Sequence, residues 1–355
     1  MTSAAIPTLF LGTNAPGTFV SHFEQLLNPQ SLRKLYILKG GPGCGKSTLM
    51  RHVGESFAQA GHPIVHIPCS SDPHSLDVIV VPDLGIAVVD GTAPHVLEPL
   101  NPGLDQTIWN LGQFIDEEGM RSVEDQVRES QHRLSQWFQR SWRYLLACQC
   151  LLRERDSLLT PYMQSARLQR LASRLIKKEF PQRRGITGRL SRGFLTAITP
   201  EGVVTTQQWL REYRCYWLKD SHGLVHQLLK PLQDAALERG WNVLACYDPL
   251  EPQKLRQLIV PQCRLAFLCD EPPCAPQRVL NLDRYVDPHG LALTRGRRRF
   301  LRKTFDALLE GALDSLREAK AEHDVLEVLY TTHVDFDALN VWQNALLQKL
   351  LRDSR

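Results

Sequence analysis

No run of about 20 apolar residues occurs anywhere in this chain of 355 residues, so a membrane-spanning helix is not expected. Nor does a charged-then-apolar segment open the sequence, and the cytoplasm is the expected location. Charge of neither sign dominates. The 42 basic and 38 acidic residues leave a net +4, too little by itself to argue for a nucleic-acid or membrane partner. Zinc-ligand spacing is missing too: Cys148-Gln-Cys150 and Cys269-x4-Cys274 have no matching second pair. Nine cysteines at irregular positions point to reduced thiols. What is present is 43% hydrophobic residues, enough for packed cores, in a chain long enough for two domains of about 150 to 180 residues.

One segment carries more chemistry than any other. Residues 35 to 50 read LYILKGGPGCGKSTLM: an apolar run, then Gly40-Gly41-Pro42-Gly43-Cys44-Gly45-Lys46-Ser47-Thr48, then helical character. A polyphosphate is wrapped only by a backbone whose N–H groups turn inward at close range, and glycine permits that conformation. A helix starting near Lys46 adds its positive end, Lys46 is a mobile charge for the β- and γ-phosphates, and the Ser47 hydroxyl is a ligand for Mg²⁺. The pattern is that of a phosphate-binding loop, and it makes a nucleoside triphosphate the expected ligand.

Gly85-Ile-Ala-Val-Val-Asp90 is an apolar strand ending in an acid, the pattern of a carboxylate that shares the metal with the loop serine. Asp90 and Ser47 are therefore the expected metal ligands. The polar stretch His66-x-x-Cys69-Ser70-Ser71-Asp72-Pro73-His74-Ser75-Leu76-Asp77 follows a strand end. Asp72 or Asp77 is a candidate for orienting the nucleophile. A capped turn at Asp72-Pro73, or metal ligation by His66, Cys69 and His74, are the alternatives.

The two halves of the chain resemble each other. Leu35 to Lys39 answers to Cys215 to Lys219, Val81-Pro82 to Val260-Pro261, Ile86 to Val89 to Leu265 to Leu268, and Asn110-Leu111 to Asn281-Leu282. Phe10-Leu11 answers to Phe194-Leu195, and Asp156 and Tyr162 to Asp324 and Tyr330. Opposite Gly40 to Ser47, however, stands Asp220-Ser-His-Gly-Leu-Val-His-Gln227, without lysine, hydroxyl or most of the glycines. Asp220 would repel a phosphate. The second half is expected to keep the fold and lose the nucleotide.

Within the first half the pattern predicts a helix to about Gln59, then strands over 64–67, 78–81 and 86–89, an α/β sheet with ligand at the carboxyl ends of its strands. Residues 119–178 and 291–352 read as long charged helical arms that pack on each other, dimerise or form a lid. Residues 179–193, rich in Gly, Pro and Arg, read as a linker between domains at 1–178 and 194–355. The run Arg295-x-Arg297-Arg298-Arg299-x-x-Arg302-Lys303 is either a solvated helix face, a phosphate contact for nucleic acid, or an arginine finger acting on the first half's nucleotide. The repeated alternation of aromatic and basic residues that marks a base-stacking module does not accompany it.

Gly40 to Thr48, together with Cys69-Ser-Ser-Asp72, Ser75-Leu-Asp77, Asp90-Gly-Thr-Ala-Pro-His95, Asn101-Pro-Gly103, Asn110-Leu-Gly112 and Ala197-Ile-Thr-Pro-Glu-Gly202, resembles a family of uncharacterised bacterial proteins labelled as ATPases or ATP-binding proteins. The likeness covers nearly the whole chain and implies tandem P-loop NTPase-like α/β domains with ATP and Mg²⁺ as cofactors. Second halves in that family often keep a recognisable phosphate loop; residues 220–227 depart from it. The expected function is ATP binding by the first half, with hydrolysis to which Lys46, Asp90 and Asp72 contribute. Transfer to a small-molecule or nucleotide acceptor and a non-catalytic nucleotide-gated module with a protein partner are the alternatives.

Overall fold

The computed structural model describes residues 8–27, 32–183 and 187–353. In chain order these form β1 (Gly12–Ala15), β2 (Thr18–Ser21), β3 (Lys34–Lys39), α1 (Lys46–Gln59), β4 (Val65–Pro68), β5 (Leu76–Val81), β6 (Ile86–Asp90) and β7 (Gln106–Asn110), then α2 (Glu117–Ser122), α3 (Glu124–Leu159) and α4 (Ser165–Glu179). The order then recurs as β8 (Leu190–Gly193), β9 (Thr196–Thr199), β10 (Gly202–Thr205), β11 (Arg214–Lys219), α5 (Val225–Glu238), β12 (Val243–Tyr247), β13 (Leu255–Val260), β14 (Leu265–Leu268) and β15 (Arg278–Asn281), with α6 (Pro288–Leu293), α7 (Arg295–Thr331) and α8 (Phe336–Asp353) closing the chain. The class is α/β with mixed sheets. Among the described residues no helix is long and apolar enough to cross a membrane.

One sheet has the order β4-β5-β6-β3-β7 and the other contains β12-β13-β14-β11-β15, each strand standing where its counterpart stands. β3 is parallel to both β6 and β7, while β5 runs antiparallel to β4 and β6. The central strands are buried on both faces, so Leu35, Ile37 and Leu38, or Val78 to Val81, read as continuous apolar runs.

The helical layers are exchanged between the halves. Leu168, Leu171 and Leu175 of α4, spaced as one helical stripe, are buried with Leu228, Leu229 and Leu232 of α5, in the second half. Conversely, Leu339 and Leu350 of α8 are buried with Leu49, Met50 and Val53 of α1, in the first half. Each such leucine contributes roughly 1.5–3 kcal/mol by burial, so the exchange is a large part of what holds each sheet's outer face. Between these crossings α3 and α7 lie antiparallel. Arg133 meets Glu322 at 2.9 Å and Arg297 meets Glu154 at 3.4 Å, while the Tyr144 ring faces Gly311.

Reciprocal contacts mark an internal two-fold arrangement. Ile115 bridges Val334 and Met163 bridges Val286. The Asp116 amide donates to His333 O and the Asp287 amide to Tyr162 O, both at 2.8 Å. Phe10 and Phe194, counterparts in the repeat, bridge each other at the centre. There the hairpin β1–β2 meets β9–β10, with Asn14 Nδ2 donating to Ile198 O at 3.0 Å.

The expected linker proves to be structural. Leu190–Gly193 is β8, paired in parallel with β12, and Phe180 is fully buried in the second half's core; residues 184–186 of that stretch lie outside the described residues. A boundary at 178 therefore cuts α4 from the half it covers. Phe180 is apolar among arginines, glycines and Pro181, and composition alone averages it away.

Candidate functional site

The glycine loop joins the carboxyl end of β3 to α1. Gly45, with φ 79°, caps α1, and Gly43 (φ 67°) is also left-handed, conformations that let successive backbone amides curl around an anion. Lys46 opens the helix. Its Nζ donates to Gly40 O at 3.1 Å and Gly41 O at 2.9 Å, folded back over the loop, and lies 3.7 Å from Asp90 Oδ2. Asp90 ends β6, the strand paired in parallel with β3, so the sheet itself sets these two charges side by side.

Ser47 Oγ accepts from the Leu76 amide at 3.2 Å and keeps a second lone pair. Asp90 Oδ1 accepts from Thr92 N at 2.9 Å and Thr92 Oγ1 at 2.6 Å, which leaves Oδ2 directed at Lys46. Two hard oxygen donors beside the glycine loop are of the kind that would suit Mg²⁺.

These groups open onto a cavity of about 780 Å³ lined by the loop, by Ser71, Asp72, Asp77 and His95, and by α3 and α7. The α7 end is seated on the loop. A Cβ on Gly41 would fall 2.6 Å from the Tyr330 ring, and one on Gly43 would fall 2.9 Å from Glu327 O. Glycine at these positions thus admits the second half's helix as well as a tight turn.

Asp72 lines the cavity, with Oδ1 accepting from His74 N at 3.1 Å in a capped turn and Oδ2 3.4 Å from Lys320 Nζ of α7. The deeper acid is Asp77. One step beyond the Val78↔Val89 pair, it stands opposite Asp90 across the β5–β6 ladder. Its side chain and that of His95 are each only 4% exposed and approach to 3.7 Å. Among the described residues, Asp77 Oδ2 and both His95 ring nitrogens have no hydrogen-bond partner. Burial pushes the Asp77 carboxyl from 3.8 up to about 6, against the pull of His95. Burial also keeps the Cys44 and Cys69 thiols above their usual range, so neither is a ready thiolate. Sequence spacing named His95 only within a larger stretch; it falls in the loop after β6, and the fold carries it to Asp77. His66, Cys69 and His74 are not brought together, since the one cluster of potential metal ligands among the described residues is His323, Asp324 and Glu327 on α7.

The second loop is one residue shorter than an eight-for-eight alignment assumed. Five residues, 220–224, separate β11 from α5, against six, 40–45, between β3 and α1. Val225 consequently takes the place of Lys46, and His226 that of Ser47, its Nδ1 accepting from Leu255 N at 3.0 Å. Asp220 is turned into its own loop, accepting from His222 N at 2.9 Å and Val225 N at 2.8 Å. A carboxylate therefore occupies amides that a phosphate would need. Arg256 stands where the first half has Asp77 and is paired with Asp248 at 3.1 Å and Asp270 at 2.7 Å.

The arginine run falls at the opposite end of α7 from the glycine loop. From Arg299 to Tyr330 is about 46 Å of helix, and Arg298 and Arg302 line the second half's cavity instead. The finger reading is thereby overturned: helical periodicity places a residue on a face but does not say which end of an antiparallel pair meets the loop. Comparison of the chain with family models, with curated proteins and with solved structures gave no match.

Proposed function

We propose that the first half binds a magnesium–nucleoside triphosphate, ATP by its resemblance, and hydrolyses it, while the second half binds none. The observation that carries this is the conjunction of the left-handed glycine loop with Lys46 at the start of α1 and Asp90 at the end of β6, 3.7 Å apart. On this reading the loop amides and Lys46 hold the phosphates, and Lys46 exchanges its contacts with Gly40 O and Gly41 O for phosphate oxygens. Ser47 and Asp90 would hold Mg²⁺, which offsets phosphate charge when bound. Asp77, buried beside them with a free carboxylate oxygen, accepts a hydrogen bond from the attacking water and holds it in line. Asp72, tied to Lys320 and His74, is better placed to hold the cavity wall than to orient water.

A specific observation also favours transfer to an acceptor hydroxyl. Ser71 Oγ, Asp77 Oδ2 and the His95 nitrogens are all buried and, among the described residues, unpartnered around one cavity, more polar capacity than a single water requires. Calorimetric titration tests the reading: one Mg-ATP per chain is expected. Two equivalent sites, or none, would contradict it; phosphorylated product from a metabolite mixture would select transfer over hydrolysis.

A further inference from the structure

The proposed nucleotide cavity is built by both halves, and its charges are unevenly supplied. Among the described residues that line it, the carboxyl and ammonium groups are Asp72, Asp77, Asp90 and Lys46 from the first half and Glu327 and Lys320 from α7 of the second, with His95 and His323 beside them. Four carboxylates face two ammonium groups. A cation at the loop meets some of that negative charge, yet the terminal phosphate of a triphosphate still needs a positive partner on the side away from Lys46. Lys320 is the one such group.

We infer that Lys320, carried on α7 by the second half, binds the terminal phosphate of the nucleotide held by the first half's loop, so that the second half tells triphosphate from diphosphate. This rests on the nucleotide reading of the same cavity. The Lys320 ammonium is held at the cavity wall between Asp72 of the first half, at 3.4 Å, and Asp324 one turn along its own helix. Asp72 lies in the turn that leads to Leu76, whose amide donates to Ser47 Oγ, so Lys320 is anchored on the metal-binding side of the loop. Its helix cannot drift away from the loop without losing the seats of Tyr330 on Gly41 and Glu327 on Gly43. The nearest residue of the arginine run that lines any cavity, Arg302, is about 27 Å away along the same helix. A phosphate oxygen arriving beside Asp72 replaces one anionic partner of Lys320 by another, and the ammonium moves little.

The test is titration of a non-hydrolysable ATP analogue and of ADP, each with Mg²⁺, into the parent protein, Lys320→Ala, Lys320→Arg and, as a distant control on α7, Lys303→Ala. Loss of a charge-assisted contact to the third phosphate is expected to weaken the triphosphate about tenfold or more in Lys320→Ala and leave ADP within about twofold. Lys320→Arg should recover most of the loss, and Lys303→Ala should change neither ligand. Equal weakening of both nucleotides, or none, overturns the inference while the nucleotide site stands. A parent protein that binds neither nucleotide overturns the reading beneath it as well.

Discussion

Asp77 offers a test of the site that needs no ligand. Its carboxyl titrates near 3.8 when exposed and near 6 when folded, because burial penalises the anion more than His95 favours it. The folded state thus binds the proton more tightly, and the stability associated with protonated Asp77 is fully present below about 3.8 and lost as pH rises to about 6. A displacement of that size corresponds to roughly 2 to 3 kcal/mol, all of it working against the fold at neutral pH. Asp77→Asn removes the ionisation and keeps the shape. Its stability relative to the parent should therefore climb by on the order of 2 kcal/mol between pH 4.5 and 7.5, then level off. Urea unfolding with a chelator present, read at four pH values across that range, measures this directly. A constant offset between the two proteins at every pH would refute the reasoning, since it would mean that Asp77 ionises in the fold as easily as in water.

Glu179 should show the opposite sign. Although burial raises its carboxyl, the Tyr216 hydroxyl at 2.6 Å together with Lys178 and Arg214 prevails and holds it below the usual range, so Glu179→Gln should cost roughly 1–3 kcal/mol at pH 7 and progressively less as pH falls through the carboxylate range. Leu339→Ala, at a position 2% exposed, should cost about 2–5 kcal/mol and speed hydrogen exchange in α1 and β3 while α5 stays protected, which an unexchanged arm would not do. Leu171→Ala on α4 should give the mirror result, with α5 losing protection and α1 keeping it.

Much of the first half was legible because its signals are local. The apolar run before Gly40, the loop glycines and the acid after Ile86 to Val89 each prescribe a conformation within a few residues, and β3, α1 and β6 form where they were expected. The duplication was legible because aligned pairs such as Phe10 and Phe194 survive in sequence, and in the fold they touch. What failed was long-range. The stripe on α4 says that something covers it but not whether β3's half or β11's half does, and the difference is decided by an antiparallel helix pair of 36 and 37 residues. The single-residue shortening before Val225 escaped because an eight-residue window aligns equally well without it. Asp77 and His95 are 18 positions apart and meet only across the sheet's end, so no spacing rule pairs them.

The central claim is tested most directly by thermal unfolding with and without Mg-ATP, on the parent protein and on Lys46→Ala. At about 100 times its dissociation constant, a ligand bound only by the folded state stabilises by roughly 2.7 kcal/mol, a shift well above detection. The parent is expected to melt at a clearly higher temperature with Mg-ATP, and Lys46→Ala to melt unchanged. An unshifted parent under saturating Mg-ATP, or an equal shift in Lys46→Ala, would contradict a nucleotide site at the glycine loop.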